Sequence, residues 1–113
     1  MITRLSERVT ESREHMRGGA GTVLLTPISK EIPQNARLFS EIRLRPGMSI
    51  GYHVHEKETE LFYFLSGKGR AQDDEGFYDV SAGKSMTTPS GDGHAIECVG
   101  EEDLVIVAVI IKD

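Results

Sequence analysis

The stretch "GYHVHEKETELFYFLSG", Gly51 to Gly67, places His53 and His55 on alternate positions, with Glu60 five residues beyond the second. Side chains two apart on an extended strand share a face, so both imidazoles point the same way. Glu60 lies beyond "EKET", on what should be the next strand, where its even spacing still permits convergence. His94 follows much later, entered through "PSGDG". Three imidazoles and one carboxylate suit a first-row divalent ion such as manganese, iron, nickel, zinc or cobalt, and no thiolate belongs to the set. Four protein ligands around an octahedral-leaning ion leave positions open for water, a substrate carboxylate or dioxygen. Taken alone, a His-x-His pair reads more readily as two surface histidines on the polar face of a strand. The glycines around it reverse that balance.

The segments that must carry these residues read as strands separated by turns. "TVLLTPI" is β-rich and closes at a proline bend, and "ARLFSEIRLR" alternates Leu38, Ser40, Ile42 and Leu44 against more polar neighbours. "ELFYFLSG" is nearly continuous in apolar residues, which predicts a strand covered on both faces. "QDDEGF" supplies a hairpin turn, and "LVIVAVII", Leu104 to Ile111, is the final buried strand. Short strands at regular spacing predict an all-β antiparallel sandwich or barrel. The first seventeen residues differ: Ile2, Leu5 and Val9 are loosely helical in spacing amid polar residues, which leaves a short helix, an ordered arm or a frayed terminus open. "RGGAG" then reads as a hinge. The expected organisation is an arm and hinge over residues 1–21 and a barrel domain over 22–113.

The bulk properties narrow the partners. A chain of 113 residues builds one hydrophobic core, not two. A formal net charge of -5 with dispersed basic residues argues against nucleic acid or an anionic membrane as a partner. The longest apolar run falls far short of the ~20 residues needed to span a bilayer. "MITRLSERVTESREH" carries acids where a secretory leader needs an apolar core, and Cys98 is the single cysteine. A soluble cytoplasmic protein without an internal disulfide is expected.

The glycine framework carries a resemblance. Gly47, five residues, His53-x-His55, four residues, Glu60, six residues and Gly67 resembles the first motif of the cupin superfamily at every position. Gly83, five residues, Pro89-x-Gly91, two residues and His94 resembles the second motif up to its last member, where an asparagine is expected and Cys98 stands. The resemblance covers Arg45 to about Cys98 closely. It implies a jelly-roll barrel, the double-stranded β-helix, of two antiparallel sheets with a metal near one mouth. It also implies His53, His55, Glu60 and His94 as ligands of one divalent transition metal (Mn, Fe, Zn or Ni). The asparagine position is not a ligand in that family, so Cys98 reads first as a small buried hydrophobe and second as a redox-sensitive thiol near the metal.

Other polar residues are weaker candidates. Arg43, Arg45 and Arg70 are able to reach a ligand anion if their faces line the barrel, although strand arginines are more often solvated. Tyr52 and Tyr63 have parity opposite to the ligands and are expected to be packing residues. His15, in the polar arm, stands outside the expected site.

"MRGGAGTV", "RLFSEIRLRPGMSIGYHVHEKETELFYFLSGKG" and "EEDLVIVAVI" are similar to small stand-alone cupins of the cupin-2 type, an oxalate-decarboxylase-like group. In the larger two-domain decarboxylases the reaction needs manganese and an acid on a mobile lid, and the sequence identifies no such acid here. Three functions follow as expectations. The first is a metal-dependent enzyme acting on a small carboxylate or sugar-derived acid, by decarboxylase, isomerase or lyase chemistry. The second is an iron-dependent dioxygenase. The third is a non-catalytic metal or small-ligand binding module. Strands apolar on both faces also predict a homodimer, in which a second copy covers one sheet.

Overall fold

The computed structural model describes residues 1–113. Ten strands follow one another: β1 Glu11–Glu14, β2 Thr22–Pro27, β3 Ala36–Leu44, β4 Ser49–Val54, β5 Glu58–Ser66, β6 Lys68–Asp73, β7 Gly76–Ser81, β8 Ser85–Thr88, β9 Gly93–Cys98 and β10 Leu104–Lys112. They form a six-stranded sheet in the order β1-β2-β3-β10-β5-β8 and a four-stranded sheet in the order β4-β9-β6-β7. Every pairing is antiparallel. The two sheets face each other as the expected jelly roll. No helix is long and apolar enough to cross a membrane.

Period-two patterning explains which side chains meet between the sheets. Ile42 and Leu44 on β3, Phe62 and Phe64 on β5, Ile96 and Cys98 on β9, and Leu104, Ile106 and Ala108 on β10 all belong to one buried cluster. In β5 the alternation is strict, with Glu60, Phe62 and Phe64 buried and their neighbours outside. The expectation that this strand is covered on both faces is therefore corrected within a single chain: Leu61, Tyr63 and Leu65 are 38%, 46% and 52% exposed. Tyr63 and Tyr52 face outward and are only half covered, Tyr52 lying over Gly93 with its hydroxyl donating to the Asp74 carboxylate. β10, central in its sheet between β3 and β5, is buried along most of its length.

The N-terminal segment is an ordered arm. β1 pairs with β2, Glu14 opposite Thr22, and extends the six-stranded sheet. A tight 3-10 turn over Met16–Gly18 then carries the chain back toward β4. There Ser49 N donates to Ala20 O at 3.0 Å, and Ala20 N donates to Ser49 Oγ at 2.9 Å.

The connections place the polar residues. The turn between β4 and β5 moves the chain from the four-stranded to the six-stranded sheet, so His53 and Glu60 lie on opposite walls of the barrel. β9 returns beside β4 with His94 opposite His53. Glu60 pairs with Thr88 on β8.

Candidate metal centre

His53, on β4, has its Nδ1–H directed at the carbonyl of Gly51 at 2.8 Å. A carbonyl only accepts, so the proton sits on Nδ1 and the Nε2 lone pair is free. His55 lies just past the end of β4. Its backbone is bracketed on both sides, His55 N donating to Asp92 O at 3.0 Å and Gly91 N donating to His55 O at 2.7 Å. Gly91 adopts a φ of +92° to turn the chain into β9, a conformation costly for a residue with a Cβ. The His55 side chain donates from Nδ1 to the Glu58 carboxylate at 2.6 Å. His94 Nδ1 pairs with Thr88 Oγ1 at 2.7 Å, and the Phe62 ring stacks on His94 with centroids 5.0 Å apart.

With each Nδ1 engaged, the three Nε2 atoms turn toward one another. His55 Nε2 stands 3.1 Å from His53 Nε2 and 3.0 Å from His94 Nε2. Glu60 Oε1 reaches across from the other sheet to within 2.8 Å of His55 Nε2 and 3.0 Å of His94 Nε2. The ligand atoms of all four side chains lie within 4.8 Å of one another. His55, Glu60 and His94 are buried, at 3%, 4% and 2% exposed.

The donor set fits a metal. With Nδ1 of His53 and of His55 each directed at an oxygen acceptor, the two Nε2 atoms face each other at 3.1 Å with the Glu60 carboxylate beside them. Imidazole Nε2 atoms oriented in this way by a bond at Nδ1 are the usual donors to a transition-metal ion. Burial pushes the His53 pKa below its ordinary value, with His94 and His55 adding to the effect against the Gly51 carbonyl. Burial thus favours the neutral form of His53, the form that ligates a metal. Nitrogen and oxygen donors without sulfur suit one first-row transition-metal ion.

An outer layer orients the cluster. Arg37 Nε and Nη2 donate to the two oxygens of Glu58 at 2.8 and 2.7 Å, a forked pair. The paired guanidinium holds the Glu58 carboxyl down at about 2, His55 assisting and burial opposing. A carboxylate behind a ligating histidine fixes its tautomer and raises its basicity.

The cluster opens into a cavity of about 500 Å³. Leu38, Ile42, Ile50, Phe62 and Ile110 give it an apolar wall, and residues 12–17 of the arm form another side. His15, set aside on sequence grounds, lines this cavity. Arg43, Arg45 and Arg70 do not. Arg43 pairs with Asp103 and Glu41, and Arg70 lies over the Phe77 ring at 4.3 Å. Cys98 is buried in the core with Sγ donating to Glu102 O at 3.1 Å, and it too is absent from the cavity lining.

Glu58, Thr88, Arg37 and the arm escaped the sequence reading. Glu58 had one visible signal, its shared parity with Glu60. The others meet the site only through pairing between distant strands.

Comparison with known proteins agrees with this architecture. The Cupin domain model matches residues 40–110. The oxalate-binding protein of Thermotoga maritima is 43% identical over 113 residues, covering 98% of this chain and 93% of that protein. The oxalate decarboxylase of Arthroderma benhamiae is 35% identical over 103 residues, and this chain spans only 24% of its length. Among solved structures, a predicted oxalate decarboxylase from Thermotoga maritima superposes with a TM-score of 0.94 at 39% identity, covering 100% of both chains. The Schizosaccharomyces pombe Cnp3 cupin domain, 14% identical with a TM-score of 0.74 over 91% of this chain and 69% of its own, shares the fold alone.

Proposed function

The chain belongs to the cupin family, and from that premise we propose that it binds a small carboxylate, oxalate or a close analogue, on one divalent transition metal held by His53, His55, Glu60 and His94. The observation that carries the reading is the convergence of three Nε2 atoms and a buried carboxylate on one point of a cavity with room for a small acid. When bound, such an ion polarises a ligand oxygen and leaves coordination positions open. The protein's own part is to hold the three imidazoles and the Glu60 carboxylate in place and to shield them with the apolar wall. The similarity to an oxalate-binding protein supports the ligand class.

Turnover is the finer part of the proposal. Decarboxylase, isomerase or lyase chemistry needs a proton-moving side chain beside the ligand. Glu14 and His15, on the arm and lining the cavity, are the ionisable groups available there besides the cluster and the arginines. Similarity to the oxalate-binding protein of Thermotoga maritima favours the third expectation, a binding module without turnover.

The test is metal analysis of protein purified without a histidine tag, followed by calorimetric titration with oxalate and an assay for its consumption. One ion per chain and oxalate binding are expected. His55→Ala and Glu60→Ala should each abolish bound metal. Full stoichiometry in both variants would refute the ligand assignment, and oxalate binding without consumption selects the binding module.

We also propose a cytoplasmic homodimer. Leu61, Tyr63 and Leu65 stand beside half-buried Phe39, Val107 and Val109 on the outer face of the six-stranded sheet, with Val109 paired to both Phe39 and Leu61. A contiguous apolar face of this kind is covered most economically by a second copy. A monomer at all concentrations in sedimentation equilibrium would overturn this.

A further inference from the structure

Three arginines line the cavity, and two of them are already engaged. Arg37 is forked onto Glu58, and Arg13 pairs with Glu11 at 2.9 Å. Arg17 has no carboxylate partner and makes no side-chain hydrogen bond within the chain. It is exposed, whereas His55, Glu60 and His94, which line the same cavity, are buried. Apolar side chains, among them Leu25, Ile50 and Phe62, complete the wall.

The backbone that carries Arg17 is held in an uncommon conformation. Arg17 has φ 55° and ψ 31°, and His15 two residues earlier has φ 49° and ψ 45°. Left-handed conformations are rare for residues with a side chain and cost on the order of 1 kcal/mol each. The turn is pressed directly onto β4. A Cβ added at Gly51 would meet Arg17 O at 2.0 Å, and one added at Gly19 would meet Ser49 O at 2.1 Å. A side chain at either position would force the turn and β4 apart. Gly51 is also the residue whose carbonyl orients His53. One point of contact thus fixes the Arg17 backbone and the His53 imidazole relative to each other.

A strained turn, a close glycine seat and a cavity-lining guanidinium without a partner are costly features for a plain connector. We infer that Arg17 is a ligand-binding residue: it receives the anionic group of a small dicarboxylate that lies away from the His53–His55–Glu60–His94 cluster. The inference rests on the carboxylate reading above and adds to it a preference for dianions over monoanions. The guanidinium supplies a fixed fork for a carboxylate. None of the arginines singled out from the strand sequences takes this role. It falls to an arm that no ligand-bearing strand contains.

The experiment compares wild type, Arg17→Ala and Arg17→Lys, each loaded with manganese, in calorimetric titrations with oxalate, malonate and acetate. Arg17→Ala should keep full metal content, lose about tenfold in affinity for the dicarboxylates and leave acetate unchanged. Arg17→Lys should recover part of the loss, since it restores charge without the fork. Equal dicarboxylate affinity in wild type and Arg17→Ala would overturn the inference while leaving the metal–carboxylate reading intact. A parallel loss for acetate, or a loss of metal, would assign Arg17 a structural role and overturn it too. Wild type that holds manganese but binds none of the three acids would overturn the carboxylate reading itself, and this inference with it.

Discussion

Glu58 Oε2 lies 2.6 Å from His55 Nδ1, and through that contact the buried histidine is tied to Arg37 at the surface. Two hydrogen bonds from Arg37 leave the Glu58 carboxylate little freedom, so the imidazole it faces is fixed in both tautomer and direction. Removing this support should loosen His55 without emptying the cluster. Glu58→Ala is expected to weaken metal binding by about 10–100-fold, with Glu58→Gln between it and wild type. Competition with a chelating dye measures this. Wild-type affinity in the alanine variant would show that His55 is oriented by its backbone alone.

The same carboxylate makes the metal-free protein sensitive to acid. Its folded pKa of about 2 lies below the ordinary 4.5, because the paired Arg37 guanidinium favours the charged form. A depressed folded pKa contributes stability that is complete above about 4.5 and is lost as pH falls toward 2. Urea unfolding between pH 3 and 7 should therefore show the gap between wild type and Glu58→Gln narrowing below about pH 4.5. A gap constant across that range would mean that Glu58 titrates as it does in the unfolded chain.

Much of this centre was legible because its ligands obey simple counting. His53 and His55 share parity, and their spacing to Glu60, His94 and the flanking glycines carried the family resemblance. Counting along one strand cannot say which sheet the next strand joins, so the arrival of Glu60 from the opposite wall was invisible. "HEKETE" offers Glu56, Glu58 and Glu60 at equal parity, and only the fold separates a cluster member from its support. The outward faces of β5 show the opposite failure: a nearly continuous apolar run hid a strict alternation of buried and exposed positions. The arm was the least legible part, since its composition is polar and its place depends on pairing with β2 and on the close seat at Gly51.

Thr88 supplies the only hydrogen bond to His94 Nδ1, in a setting where both residues are 2% exposed. Thr88→Val keeps the shape and removes the oxygen, leaving a buried ring nitrogen without a partner. An unsatisfied buried group of this kind costs about 1–3 kcal/mol. The variant should unfold at lower denaturant with an unchanged slope, and its metal affinity should fall as the ring loses its preferred direction. Unchanged stability in Thr88→Val would mean that Phe62, stacked on His94, holds the imidazole by itself.

Gly51 tests the seat of the arm apart from the charge it carries. An alanine there places a methyl group 2.0 Å from Arg17 O, and that neighbour is backbone, which cannot swing aside as a side chain would. Either β4 deforms or the turn lifts off, and the turn is the cheaper to move because it is held by few hydrogen bonds, Ala20 to Ser49 chief among them. Gly51→Ala should therefore keep the barrel, since the core between the sheets is untouched. Its arm should become open to protease. Limited trypsin digestion is the measurement, because Arg13 and Arg17 are cleavage points within the segment that would be released. Cleavage there should accelerate severalfold over wild type while residues 22–113 resist. Equal rates would mean that β1–β2 pairing alone holds the arm in place, and that the cavity keeps its wall without the glycine seat.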